Sequence, residues 1–479
     1  MSAPSRLLPF VLFLGLFISS CMVGPEYKAP ELEEPPNWLT QDPSIKPEPL
    51  AIIEWWTLFN DPILNDLIQE ASENNRDQKI AFARIEEYKA LLAMVSGERM
   101  PNVNLSAGAN RQGSSESGFI GQGTTYSQYR LDVNLSWEVD LFGRVRRSIQ
   151  AAQAEYEAET EDYTDVMISL YADMALTYFQ FRTLQARTQI LEDNLTALEQ
   201  VLQLTQARAR HGLATDLEVS QAQSLYASSR AQMPLLRAMQ SQAINQLAVL
   251  LGKTPQHMQA LSVKALPTAP ETIASGIPID LIRQRPDIRR AERQLAAQTA
   301  RVGLAHSQLY PNLSISALIG VDALTGGKLF DASSGIWSLG VSLGQGLFSG
   351  SRLRNKIKVE DARARQALFA YEKTVLQALS EVETAMVFFV EQRNQLTLYD
   401  EAIVAARKSV STANSLYKEG LVDFQNVLDA QRQQLELEDS MATAKGEHVS
   451  SVVRLYRALG GGWGPNRAAS AITPSLGDH

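Results

Sequence analysis

The chain has 479 residues, 45% hydrophobic and 20% charged, with a net charge of −9, length enough for two or three ordinary cores. The acidic balance argues against a nucleic-acid partner, and a single cysteine excludes a disulfide framework. The first feature in chain order is an apolar run at 7–18, preceded by Arg6 and containing Pro9 and Gly15. It is too short for a membrane-spanning helix, which needs about 20 residues, and reads as the apolar region of a secretory signal.

Ile18-Ser19-Ser20-Cys21 follows, an order that resembles a bacterial lipobox, in which the cysteine is acylated and becomes the new amino terminus. A lone thiol beyond an ordinary cleavage site is the plainer alternative. Met22 in place of Asp suits sorting to the outer membrane. Residues 22–50 hold seven prolines, from Pro25 to Pro49, with Glu31, Glu33 and Glu34 among them, the composition of an extended strap. Packing is expected to begin at Trp55-Trp56 and Phe59, with a helix starting at Asp61-Pro62. The helical pattern runs to Met100, where Pro101 stops it.

Strict alternation comes next. Residues 103–109 are apolar at every odd position, and Tyr129, Leu131, Val133, Leu135, Trp137, Val139 and Leu141 alternate with six polar residues, four of them ionisable. Later, Leu313, Ile315, Ala317, Ile319 and Val321 precede a Gly-rich loop and Trp337, Leu339, Val341 and Leu343. Period two over such lengths predicts strands with one apolar and one polar face. A half-buried soluble sheet and a transmembrane β-barrel both fit. Four strands cannot close a barrel, so a membrane reading requires several copies: two would give eight strands and a filled interior, three would give twelve and a passage.

From Arg144 to Arg210 there is no proline or glycine, and apolar or small residues from Tyr163 to Ala209 recur at alternating spacings of four and three. That is a heptad seam on a predicted helix of about 100 Å. A second such seam runs from Ser351 to Lys418. Each ends at a turn, around Gly212-Leu213 and Gly420-Leu421, and each is followed by an amphipathic helix, at 216–251 and 423–459; Pro234 should kink or break the first. The landmarks repeat: Gly212 and Gly420 are 208 residues apart, as are Leu251-Gly252 and Leu459-Gly460, while Pro101 and Pro311 are 210 apart. The chain therefore reads as an internal duplication of a large unit.

These residues resemble the outer membrane factors, specifically the efflux lipoproteins of the NodT type. The likeness covers nearly the whole mature chain: Cys21 with Val23-Gly24-Pro25-Glu26-Tyr27-Lys28; Trp55-Trp56 to Leu64; Arg285-Pro286-Asp287-Ile288 through Tyr310-Pro311; and Val427-Leu428-Asp429-Ala430-Gln431 with Leu459-Gly460-Gly461-Gly462-Trp463. The resemblance implies an α+β membrane protein: a homotrimer whose twelve-stranded β-barrel, four strands per chain, continues into a long coiled-coil α-helical periplasmic barrel. It implies an outer-membrane duct of a tripartite efflux pump, lipid-anchored at Cys21 in a Gram-negative bacterium, with a periplasmic adaptor and an inner-membrane transporter as partners. The corresponding divisions are a signal peptide at 1–20, anchor and strap at 21–60, a first repeat at 61–252, an equatorial linker at 253–280, a second repeat at 281–462 and a tail at 463–479. Carried over residue by residue, the hairpin tips Gly212, Leu213, Gly420 and Leu421 would meet the adaptor. Asp429 and, one turn earlier, Gln425 would narrow the tunnel; Gln425 departs from the apolar residue often found there. Three Asp429 carboxylates near a threefold axis would repel one another and collect cations.

No enzymatic constellation stands out. The five histidines have no ligand spacing on one helix face, Gly118, Gly121 and Gly123 fall in a strand-connecting loop, and no metal or cofactor is expected beyond lipid on Cys21. The rival readings are a periplasmic coiled-coil adaptor or scaffold lipoprotein, which would need only one hairpin, and an outer-membrane duct for protein secretion.

Overall fold

The computed structural model describes residues 22–31, 36–46, 54–115, 123–258, 261–276, 278 and 284–462; the signal segment, Cys21 and the tail from 463 lie outside the described residues. In chain order come β1 (Ile45–Lys46), α1 (Pro62–Asn74), α2 (Arg76–Ser96), β2 (Asn102–Gly113), β3 (Thr125–Val139), α3 (Arg144–Arg210), α4 (Asp216–Arg230) and α5 (Met233–Leu250). They are followed by β4 (Ile273–Ala274), α6 (Pro286–Ser307), β5 (Asn312–Ala323), β6 (Gly335–Gly344), α7 (Arg352–Lys418) and α8 (Phe424–Ala458). No helix among the described residues is long and apolar enough to cross a membrane. The chain divides into two compact units: residues 1–31, 84–160 and 290–372, and residues 32–83, 161–289 and 373–479.

The first unit contains one four-stranded antiparallel sheet in the order β2-β3-β5-β6. All four strands fall where the alternation predicts them. Each long helix spans 67 residues, and both run through the expected stretches because neither proline nor glycine interrupts them.

The second unit has an aromatic and aliphatic core. Trp55 stacks on Tyr456 with ring centroids 5.9 Å apart, and Phe59 meets Phe179 edge-on at 4.8 Å. Asp61 caps α1 by accepting from the Ile63 amide at 3.1 Å, and also accepts from the Tyr178 hydroxyl at 2.6 Å and Lys264 Nζ at 2.9 Å. The strap is tied down by its own polar groups. Trp38 Nε1 donates to the Gly276 carbonyl at 3.0 Å, β1 pairs in parallel with β4, and the Thr40 amide and hydroxyl both donate to Glu383.

The expected single helix from Asp61 to Met100 is two. Asn75 interrupts it: its Oδ1 accepts from the amides of Asp77 at 2.8 Å and Gln78 at 3.1 Å, while its Nδ2 donates to the Leu250 carbonyl at 2.8 Å. A carboxamide that caps a new helix breaks the old one without disturbing apolar periodicity. The helix expected at 216–251 likewise divides, at Ala231 and Gln232, and Pro234 sits in the first turn of α5, as the ring's fixed φ and missing donor require.

Candidate channel elements

The sheet register carries apolar residues straight across four strands. Leu105 lies opposite Val133, Val133 opposite Ile319, and Ile319 opposite Trp337; the next row runs Val103, Leu135, Ala317, Leu339. Leu105, Ile319, Trp337, Leu339, Val341 and Leu343 are all exposed, Trp337 by 80%. Side chains alternate across a strand, so the opposite face carries Asn104, Asn134, Ser106, Asp132, Arg130 and Asp322, with Leu318 and Ile336 as apolar exceptions. Asp132 is buried there, accepting from Arg130 Nε at 2.6 Å and Asn134 Nδ2 at 2.5 Å. It lies opposite Gly320, where an added Cβ would stand 2.6 Å from Asp132 Cβ and 2.4 Å from the Leu131 carbonyl oxygen. The strands β2 and β6 each have one unpaired edge.

At the foot of the sheet the N-terminal strap is locked to α3 and α6. Buried Arg147 donates through Nε to the Val23 carbonyl and through Nη2 to the Gly24 carbonyl, both at 3.2 Å. Burial pushes the Arg147 pKa down, so these two acceptors compensate a desolvated charge. Gly24 has φ +88°, and a Cβ there would lie 2.5 Å from the Gly303 Cα; a Cβ on Gly303 would meet Arg147 Nε at 2.6 Å. Farther along, Tyr27 donates to Glu292 at 2.8 Å; burial, reinforced by that carboxylate, pushes its pKa up. The strap signature therefore makes backbone-to-backbone contacts that only glycine permits.

In the second unit, the two hairpin ends have the same construction. After α3, the Gly212 amide donates to the Ala209 carbonyl at 2.9 Å and the Leu213 amide to the Arg208 carbonyl at 2.9 Å. After α7, Gly420 donates to Tyr417 at 3.1 Å and Leu421 to Leu416 at 2.9 Å. Both are Schellman turns with a left-handed glycine, φ +71° and +75°. They present Leu213 and Leu421 67% and 66% exposed. A core of Leu198, Leu202, Leu225, Tyr417, Phe424, Val427 and Leu428 holds the four helices together behind them. Thr215 and Glu218 form a capping box at the start of α4.

On α8, Phe424, Val427, Leu428 and Gln431 are buried, while Gln425, Asp429 and Arg432 are exposed. Gln425 Nε2 donates to Asp429 Oδ1 at 2.8 Å, and Arg432 approaches the same carboxylate at 3.7 Å. Gln221 of α4 reaches Gln425 at 3.5 Å. Gln425 and Asp429, which the resemblance assigns to the constriction, are thus both on the exposed face of α8. The sequence pattern misses the ion pairs between helices: Arg187 Nε and Nη2 to the Asp439 oxygens at 2.7 and 2.9 Å, and Arg407 Nε to Glu438 at 3.0 Å. It also gives no role to Arg285, quoted only within a motif. That buried guanidinium binds Asp287 at 2.9 and 2.6 Å, Glu381 at 2.8 Å and the Ala458 carbonyl at 2.6 Å. Burial works to lower its pKa, and the two carboxylates outweigh that, so it stays raised.

Comparison with known proteins places the chain. The sequence profile of the family described as Outer membrane efflux protein matches residues 67–253 and 278–461. The solvent efflux pump outer membrane protein SrpC of Pseudomonas putida is 31% identical over 459 residues, covering 94% of this chain and 97% of that protein. The pyoverdine export outer membrane protein OpmQ of Pseudomonas aeruginosa is 32% identical over 430 residues, covering 88% and 90%. The solved outer-membrane channel OprN superposes with a TM-score of 0.88 at 34% identity, covering 92% of this chain and all of that one. The chain belongs to the outer membrane efflux protein family, a family of transport channels and not of enzymes.

Proposed function

We propose that three copies of this chain close a twelve-stranded barrel in the outer membrane and continue it as a helical tunnel in the periplasm, the passive duct of a tripartite efflux pump. The observation that carries the reading is the sheet: one face that is apolar across all four strands except near the loop end of β2 and β3, where Arg111, Thr125 and Ser127 lie, flanked by two unpaired edges. Hydrocarbon accepts the face but not the edges, because each unpaired backbone group there costs several kcal/mol. Further copies supply the missing partners, and three leave a polar-lined passage where two would fill it.

In this reading the two copies of the strand-and-hairpin unit, 61–252 and 281–462, are a duplication, and 253–280 links them. Lipid on Cys21 anchors the strap, and the matching Schellman turns offer Leu213 and Leu421 to a periplasmic adaptor coupled to an inner-membrane transporter. Asp429, steadied by Gln425, forms the inner constriction and favours cations. The relatives named for solvents and for pyoverdine resemble this chain to similar degrees, which supports assigning the choice of small-molecule cargo to the transporter.

Single-channel recording in planar bilayers tests the assignment. The protein should form cation-preferring pores, and Asp429→Asn should lower that preference with the trimer intact. An unchanged preference rejects Asp429 as the constriction. A detergent-indifferent monomer rejects the duct itself.

A further inference from the structure

The sheet contains the instructions for its own closure. The two strand pairs repeat under two nearly equal shifts, 210 for β2 onto β5 and 208 for β3 onto β6. Adding 210 carries Asn102 to Asn312, adding 208 carries Ser136 to Gly344, and both Asn102/Ser136 and Asn312/Gly344 are observed cross-strand partners. The same 208 carries the start of α3, Arg144, to the start of α7, Arg352. It also carries Gly143, at φ +85°, to Ser351, one of the two non-glycine residues with positive φ among the described residues. The correspondence therefore holds in backbone conformation as well as in numbering.

One seam in the sheet, β3 against β5, joins the first pair to the second. Its register is observed: Val139 opposite Leu313, Leu135 opposite Ala317, Val133 opposite Ile319, Tyr129 opposite Ala323. Shifting β3 onto β6 and β5 onto β2 converts this inner seam into the outer one. We infer that β6 of one copy pairs antiparallel with β2 of the next, with Leu343 opposite the neighbour's Ala107, Val341 opposite its Ala109, Trp337 opposite its Gly113 and Leu347 opposite its Val103. The inference rests on the barrel reading above and adds to it the register and the partner residues.

Three observations support this register. First, parity is correct: the apolar side of β6 meets the apolar side of β2, and on the other face Gly344, Ser342 and Gly340 meet Ser106, Gly108 and Asn110. A one-residue slip would invert every side chain. Second, β3 runs three residues beyond Ser136, its last partner on β2, and β5 is the one strand paired with it there. The counterparts Gln345, Gly346 and Leu347 have no such neighbour and leave the strand, with Leu347 93% exposed. A second copy gives these residues their ladder and Leu347 its cover. Third, Trp337 falls across from a glycine, where an indole covers the open backbone. Arg111 lies on the apolar side opposite Leu339, near the loop end of β2, where its stem covers the leucine and its head reaches the interface.

Cysteine pairing tests the register in the full-length membrane protein. Directly opposite residues have Cβ atoms about 4.5–5.5 Å apart, and diagonal ones roughly 7–8 Å, against about 3.5–4.5 Å in a disulfide. Leu343→Cys with Ala107→Cys, oxidised in outer-membrane vesicles, should give reducible dimer and trimer bands on denaturing gels. These bands should be at least about tenfold stronger than for Leu343→Cys with Leu105→Cys or with Ala109→Cys, the two parity-preserving slips. Each single variant, still carrying Cys21, sets the background. Strongest linkage in either slipped pair overturns the register while the trimer stands. No linkage in any pair, with trimers intact by native mass measurement, overturns the β6-to-β2 seam. Monomers alone overturn the barrel reading beneath it.

Discussion

Gly24→Ala should release the N-terminal strap. Two penalties arise at the residue itself. A side chain at φ +88° sits in the left-handed half of the map, costing about 1–2 kcal/mol, and its Cβ would be 2.5 Å from the Gly303 Cα. The second cannot be relieved by a rotamer, because the obstacle is helix backbone. The strap must lift, and Arg147 then loses both carbonyl acceptors. Hydrogen bonds to a charged group contribute about 1.5–3 kcal/mol each, so roughly 3–6 kcal/mol of local stability disappears. The loss is confined to a sub-global opening. At 1.4 kcal/mol per decade, the open strap becomes about 10²–10⁴ times more populated. Trypsin cleavage after the exposed Lys28, followed by mass spectrometry on the purified protein, reads that opening directly. Gly303→Ala should behave alike, since its Cβ would displace the same guanidinium. If Gly24→Ala leaves the cleavage rate within about threefold of wild type, well under one decade of opening, the lock does not hold the strap.

Gly420→Trp should abolish solvent or drug resistance in cells while trimers still form: beyond its chain neighbours no heavy atom lies within 4 Å of a Cβ there, so the cost to stability is the left-handed backbone strain alone, about 1–2 kcal/mol; retained efflux would separate the turn from adaptor contact. His448 stacks on Phe389 at 5.2 Å, and burial, aided by the Arg393 charge, holds its pKa below the ordinary 6.5. The unfolded chain takes up the proton first, so stability is full above about pH 6.5 and falls as pH drops toward the folded value. His448→Gln should flatten the melting temperature between about pH 7 and 5, measured by calorimetry; an unaltered slope would assign the acid sensitivity elsewhere.

What the sequence discloses and what it conceals divide by distance along the chain. The strands and the two 67-residue helices are legible because period two and a heptad seam are local signals. The tip glycines are legible for the same reason, a Schellman turn being settled within six residues. The break at Asn75 is missed, since its carboxamide answers to Leu250, 175 positions away. Arg147 lies in the basic run Arg144-Val145-Arg146-Arg147, which composition alone assigns to a solvated surface, yet its acceptors are 123 and 124 residues upstream. Gln425 and Asp429 are singled out only through the family resemblance, and the ion pairs of Arg187 and Arg407 with α8 leave no periodic trace.

The buried charges hold the fold together. The described residues bury six charged side chains, Asp61, Asp132, Arg147, Arg182, Arg285 and Glu360. Each has partners in its own chain: Lys264 and Tyr178 for Asp61, Arg130 for Asp132, the strap carbonyls for Arg147, Tyr178 and the Ser262 carbonyl for Arg182, Asp287 and Glu381 for Arg285, and Gln298 and Arg363 for Glu360. A site that recognises one cargo keeps convergent polar groups for the ligand inside a largely preformed pocket. Here the desolvated charges fix strap to helix, helix to helix and strand to strand. Exposed polar groups such as Asp429, Gln425 and Arg432 keep their contact with water, so the charges of Asp429 and Arg432 are screened. In the duct proposed above, groups of this kind would discriminate by sign and size and leave chemical recognition to the transporter.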